Sequence, residues 1–374
     1  GGLINKVTTN EFFYLDVSKP FKSTEDVLIP WVDLTYTGGP QKAYTTACIG
    51  GKNNDMIFIF GNKPNNNQSF VNQFDTNKQQ WINITSSGSV PTNRDDISCA
   101  KFNNGLIAIF SGYNYTPIAS TNELWIFNTL TLTWNLSSAI NAPSSRMSYC
   151  AITLPDDNIL YIGGLNYTVT FMPMDNLPLY NTKTNTWTIM NTSGPTPPAR
   201  YRFSAVLTPD GRIIIFGGFQ LLSGTYGDLW ILDIITYQWS VGNILNPIAN
   251  LSLTRHTATL VDNYMLVAFE KVRLRTVPDR VLKNYVTIEV VKLQREFQNG
   301  TYSSNIFMLN VSQKDSYRWV TEFIPNTTTT TTNSTISSST DSKNTSLMIG
   351  VIIGSIIFLV IFVTAIIFTL KFID

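Results

Sequence analysis

The chain has 374 residues, of which 43% are hydrophobic, 12% aromatic and only 14% charged; ordinary soluble domains carry about 25% charged residues, so disorder is excluded for most of the chain and a sizeable core can be buried. Twenty-six basic residues face 25 acidic ones, a formal charge of +1, and no Lys/Arg cluster interleaves with aromatics, which excludes a nucleic-acid partner. His256 is the only histidine, which excludes any metal site that needs two imidazoles.

From Gly1 to Ile324 the sequence repeats. Trp31, Trp81, Trp134, Trp187, Trp239 and Trp319 mark the units, the first four intervals being 50, 53, 53 and 52 residues. Apolar runs ending in small residues precede the tryptophans: Ile57 to Gly61, Ile107 to Gly112, Ile159 to Gly164 and Ile213 to Gly218. Between the small doublet and the Trp stands a third run, as in Phe13 to Asp16, Leu124 to Asn128, Pro178 to Asn181 and Leu229 to Asp233. A fourth run opens each unit, as in Arg94 to Ala100, Arg146 to Ile152, Arg200 to Leu207 and Arg255 to Leu260. Each unit of about 50 residues therefore predicts four short strands. Unit one begins at Gly1-Gly2 and lacks its opening two strands, which are expected from upstream sequence; ring closure by pairing the terminal strands is the alternative.

Strands apolar on both faces must stack against neighbours, and radial stacking closes such an array. The pattern of apolar run, Gly-Gly, spaced aromatic and Trp resembles the kelch repeat of the galactose oxidase central-domain superfamily. The resemblance covers about residues 1–324 and implies an all-β, kelch-type β-propeller of about six four-stranded blades, the first incomplete. It says little about activity. A galactose-oxidase-like copper site needs two histidines, which this chain does not have, so no enzyme, cofactor or metal is expected. His256 is read as a packing residue.

Arg94, Arg146, Arg200 and Arg255 recur, each at the expected start of an innermost strand. They form a candidate ligand-binding collar at the channel mouth, for an acidic peptide or sugar acid; the alternative is that each Arg stacks on an aromatic as part of the repeat. Tyr113, Tyr115, Tyr167, Phe171, Phe219 and Tyr226 fall in loops on the same face, as candidate ligand contacts or as packing over the blade tops. Cys48, Cys99 and Cys150 occupy comparable opening strands. They are expected as buried thiols, with one disulfide as the alternative.

In unit six, residues 270–299 replace the Gly doublet with a basic, atypical segment, read as a translated intron or frame error, or else as a long insertion. Residues 325–346, rich in Ser, Thr and Asn, predict a glycosylated stalk. Residues 347–370 carry no charge and predict a transmembrane helix, followed by a tail of residues 371–374. Twelve Asn-X-Ser/Thr sequons stand at Asn67, Asn83, Asn114, Asn135, Asn166, Asn191, Asn250, Asn299, Asn310, Asn326, Asn333 and Asn344. Together these features predict a single-pass protein, in the plasma membrane, with an extracellular propeller. Its expected work is binding a protein partner; a carbohydrate or wall polymer is the alternative, and an oxidase ranks last.

Overall fold

The computed structural model describes residues 10–24, 28–61, 69–103, 105–115, 118–268 and 306–326, together with the backbone of Leu3–Ile4 and Val7–Thr8. For Tyr115 only the backbone is described. Residues 270–299, the stalk beyond Asn326, residues 347–370, the tail, and the sequons at Asn67, Asn299, Asn333 and Asn344 lie outside this set. Among the described residues no helix is long and apolar enough to cross a membrane.

Among the described residues, five antiparallel sheets have four strands each. Blade two runs Thr46–Gly50, Met56–Phe60, Val71–Asp75 and Gln80–Ile82. Blade three runs Cys99–Phe102, Leu106–Phe110, Leu124–Asn128 and Thr133–Leu136. Blade four runs Cys150–Thr153, Ile159–Ile162, Asn176–Asn181 and Thr186–Asn191. Blade five runs Ser204–Leu207, Arg212–Phe216, Leu229–Asp233 and Gln238–Val241. Blade six runs Thr257–Val261, Tyr264–Ala268, Ile306–Asn310 and Arg318–Val320. The second strands are buried on both faces, as Ile159–Ile162 is throughout, because a neighbouring blade covers each side. The fourth strands alternate, only Trp134 being buried in Thr133–Leu136.

Consecutive first strands touch. The Cys99 amide donates to Thr46 Oγ1, the Ala151 amide to Ser98 Oγ, and Ser204 Oγ lies 2.8 Å from His256 Nε2. Blade one is two-stranded among the described residues, Phe13–Leu15 against Trp31–Asp33, and it closes the ring. Phe12 and Leu34 pack on Ile57 and Phe74 of blade two, while Leu15 and Trp31 pack on Leu266 and Met308 of blade six. Glu322–Phe323 adds a short antiparallel pair to Phe21–Lys22.

The repeated tryptophans fill the gaps between blades. Trp134 stands 5.8 Å from Phe60, Trp187 4.9 Å from Phe110, and Trp319 5.3 Å from Phe216 of the preceding blade. Trp81 does the same to Phe12 at 5.0 Å. In the doublet, Gly217 has φ 67°, and a Cβ there would lie 2.5 Å from the Leu253 carbonyl of blade six. Glycine at this position lets the chain leave the strand and touch its neighbour without a clash.

Two sequence expectations are corrected here. Each innermost strand begins later than expected: Cys99–Phe102 is the inner strand, whereas Arg94–Asp95 pairs separately with Tyr113–Tyr115. Cys48 and Cys99 are not thiols but a disulfide, with Cα atoms 6.3 Å apart. Cys48 faces Phe58, two residues before the end of the second strand, and Cys99 faces Ile109, one residue before it; this one-residue offset in the repeat turns the two side chains toward each other across the blade interface. Cys150 stands outside the bridge, its Sγ donating to the Phe203 carbonyl at 3.5 Å.

Trp134→Ala is expected to cost about 3–5 kcal/mol, since a ring-sized void opens between blades two and three; unchanged urea midpoints would place Trp134 outside that interface. The disulfide spans 51 residues, and on the chain-entropy account its removal costs about 4 kcal/mol. Comparing the melting temperature with and without reductant, and against Cys99→Ser, checks this.

Candidate functional site at the channel mouth

Aligning the blades by structure exposes a register that spacing alone obscures. Lys42, Arg94, Arg146, Arg200 and Leu253 are equivalent, at intervals of 52, 52, 54 and 53. Two residues later stand Tyr44, Asp96, Ser148, Arg202 and Arg255, all left-handed, with φ between 52° and 63°. Their backbones form a girdle. The Asp96 amide donates to the Tyr44 carbonyl at 3.3 Å, Ser148 to Asp96 at 2.7 Å, Arg202 to Ser148 at 3.0 Å and Arg255 to Arg202 at 2.9 Å. None of the five is glycine, so each carries a left-handed strain that the inter-blade hydrogen bond offsets.

The arginine collar is corrected by this register. Arg94 and Arg200 are fully buried and turn into their own blades. Arg94 donates to the Ser111 carbonyl at 3.1 Å and pairs with Glu123 at 2.8 Å; Arg200 donates to the Gly217 carbonyl at 3.0 Å and holds Asp228 through two nitrogens at 2.6 and 2.9 Å. Trp125 and Trp230 donate to the same carboxylates, and the Tyr226 ring covers Arg200 at 4.2 Å. Burial alone would raise the Glu123 and Asp228 pKa values, but the arginine and tryptophan donors outweigh it and hold both carboxyls below their usual range. Arg146 is also buried. Arg255 belongs to the girdle, not to the buried series, because the repeat before it is 53 residues long and not 55. Lys42 is the cation that sequence spacing missed; its Nζ donates to the carbonyls of Gly61, Ser69 and Phe70.

The girdle side chains and the first strands line a cavity of about 150 Å³. Its mouth holds Tyr44, Asp96, Ser148, Arg202 and Arg255, and its wall includes Cys150, Phe203, Ser204 and His256. Arg202 reaches Asp96 at 3.5 Å, joining blades five and three across blade four. With two guanidiniums against one carboxylate, the mouth favours anionic or hydrogen-bond-accepting groups. Arg202 also lies over the Tyr201 ring at 5.0 Å, and Tyr201 contacts Phe171 at 5.7 Å and Phe219 at 5.8 Å. Tyr113 and Tyr167 meet at 6.1 Å, with Tyr167 47% exposed. The loop aromatics thus pack on one another beside the mouth, whereas Tyr226 is taken up by Arg200.

His256 occupies the position of Ile97, Tyr149 and Phe203 in the other blades and is buried beside Phe216. Burial pushes its pKa down to about 3, so it is neutral and structural at physiological pH. Among the sequons, Asn83, Asn135, Asn191, Asn250 and Asn326 are exposed, and Asn166 and Asn310 are half-buried. Asn114 is corrected as a glycosylation candidate: it is 3% exposed because it pairs with Arg94 in the short strand under the mouth.

Because the folded His256 resists protonation until about pH 3 while an unfolded one charges near 6.5, its burial favours the native state above pH 6.5 and opposes it progressively as pH falls toward 3. His256→Phe, mimicking Phe203, is expected to flatten the loss of melting temperature across that window. An unaltered acid profile would show that His256 is not the group responsible.

The chain is similar to known proteins. Residues 1–218 and 170–269 match the KLHDC2/KLHL20/DRC7 Kelch-repeats domain. The chain is 28% identical over 234 residues to "Putative protein tag-53" of Caenorhabditis elegans, a match covering 59% of this chain and 16% of that protein. It is 24% identical over 197 residues to "Kelch domain-containing protein 3" of Homo sapiens, covering 50% of each. The matched stretch therefore spans half or less of these relatives. A solved structure titled "Structure of YjhT" superposes with a TM-score of 0.49 at 16% identity, over 62% of this chain and 73% of that one.

Proposed function

Since the chain belongs to the KLHDC2/KLHL20/DRC7 Kelch-repeats domain family, we propose that it is a binding module whose channel mouth receives an acidic or carbonyl-rich segment of a protein partner. The observation that carries this reading is the girdle, which holds Tyr44, Asp96, Ser148, Arg202 and Arg255 around one concavity on backbone bonded from blade to blade. Such a rim is rigid without its ligand, so binding loses little ordering entropy. The aromatic patch of Phe171, Tyr201 and Phe219 beside Arg202 extends it with apolar contact area. A second reading, a carbohydrate ligand, is favoured by the half-exposed Tyr167 ring packed against Tyr113, which offers a face for a sugar to stack on.

We further propose that the propeller is extracellular and anchored through residues 347–370. The Cys48–Cys99 bridge fits an oxidising compartment, and the exposed sequons at Asn83, Asn135, Asn191 and Asn250 are open to glycosylation. A lower apparent mass after endoglycosidase treatment supports this topology; an unchanged mass, with the propeller protected from protease on intact cells, refutes it.

The binding reading is tested by capturing partners from surface extracts with the full chain in detergent, beside a glycan array. Arg202→Ala with Arg255→Ala is expected to weaken protein capture at least tenfold, each lost charged contact being worth about 1.5–3 kcal/mol, while leaving the far-UV spectrum unchanged. Array binding without protein capture would transfer the reading to carbohydrate, and capture unaffected by the double variant would remove the mouth as the site.

A further inference from the structure

Blade four breaks the rule that its neighbours obey, and the break isolates a buried charge. In blades three and five the cations Arg94 and Arg200 meet Glu123 and Asp228 at the start of the third strand, and Trp125 and Trp230 donate to those carboxylates. By strand register the equivalents in blade four are Asn176 and Pro178, since Tyr180 faces Ile159 as Phe127 faces Ile107 and Leu232 faces Ile213. The carboxylate has become an amide, which turns away to donate to Asp175 at 2.8 Å. The tryptophan has become a proline, which has no N–H to give to the ladder. Accordingly the second and third strands of blade four pair only at Ile159–Tyr180 and Leu160–Leu179, whereas blades three and five each continue to Phe110–Leu124 and Phe216–Leu229.

Arg146 remains at this parted end, 3% exposed. No ion pair or side-chain hydrogen bond reaches its guanidinium from the described residues, and its buried Nε has no partner. Of the two buried tyrosines that act on the Arg146 charge, Tyr149 donates its hydroxyl to the Ser98 and Phe110 carbonyls, whereas the Tyr161 hydroxyl has no partner. A guanidinium whose Nε is buried without an acceptor remains charged in proteins and is stabilised by a counter-charge.

We propose that Arg146 holds a small monovalent anion between the second and third strands of blade four, in the place that Glu123 and Asp228 fill in blades three and five. The anion accepts from the Arg146 guanidinium, with the Tyr161 hydroxyl as the neighbouring unused donor. The site is separate from the channel mouth and serves blade four as a replaceable ion pair. Its physical consequence is that the propeller is stabilised by the anion itself, by linkage, and not by ionic strength.

The test uses the full chain in detergent, melted at constant ionic strength while sodium chloride replaces sodium gluconate, whose anion is far larger than chloride. A rise of about 2 °C for each tenfold increase in chloride above saturation onset is expected for a domain of this size. Asn176→Asp supplies the carboxylate of the other blades and is expected to melt higher in gluconate and to lose the chloride response. Arg146→Met is expected to lose the response as well, and where that variant fails to fold, Asn176→Asp carries the test alone. Equal melting of the parent chain in chloride and gluconate overturns the proposal, as does a full chloride response retained by Asn176→Asp.

Discussion

The structure depends on a backbone hydrogen bond that crosses from blade to blade at a left-handed residue. Asp96, Ser148, Arg202 and Arg255 each donate an amide to the girdle residue of the blade before. The left-handed turn is what brings that amide out of its own sheet, and the bond is what makes the turn tolerable in residues with side chains. From it follow the positions on either side. The residue two places earlier is driven down into the blade, and the residue after it is buried between first strands, as Ile97, Tyr149, Phe203 and His256 are.

The inward position explains why so many cations are buried in so uncharged a chain. At the end of the second strands of blades two, three and five a carbonyl is left over as the chain turns away, and Lys42, Arg94 and Arg200 satisfy those of Gly61, Ser111 and Gly217. A guanidinium can do this and still reach a carboxylate, which Arg94 and Arg200 do. Lys42 instead spends its donors on three carbonyls, with its pKa lowered to about 7 by burial. Leu253 carries no donor, yet its carbonyl accepts the Gly218 amide at 2.8 Å just as the carbonyls of Arg146 and Arg200 accept those of Gly112 and Gly164 at 3.0 Å. One backbone geometry thus supports ammonium, guanidinium and hydrocarbon, because the inter-blade bond does not depend on the side chain.

The outward position decides what the molecule offers to a ligand. Its side chains owe nothing to the blade interior, so they vary freely in chemistry while their Cα atoms stay fixed. Tyr44, Asp96, Ser148, Arg202 and Arg255 make a mixed, slightly cationic mouth that the Asp96–Arg202 pair ties across blade four. The Cys48–Cys99 bridge adds a covalent link between blades two and three within the apolar cluster they share, where adjacent first strands otherwise meet through isolated hydrogen bonds such as that of Cys99 to Thr46.

The sequence by itself determined the blades. Apolar runs, small doublets and tryptophans at a period near 52 residues are local necessities of a strand buried on both faces, a turn with positive φ and a gap of ring size, and each can be read without knowing what it touches. What only the tertiary structure decided is which side of a blade each polar residue faces. Arg200 and Arg202 are two residues apart and identical in type, yet one is fully buried against Asp228 and the other lines the mouth. Arg255, counted from spacing with Arg200, belongs with Arg202, since a shift of two residues in a period of 53 is invisible until the strands are paired. Cys48 faces Phe58 and Cys99 faces Ile109, one step apart in the repeat register, and that step decides between packed thiols and a bond. A side chain's direction is set by register across the blade interface, and register is a property of two chain segments together, which neither segment encodes alone.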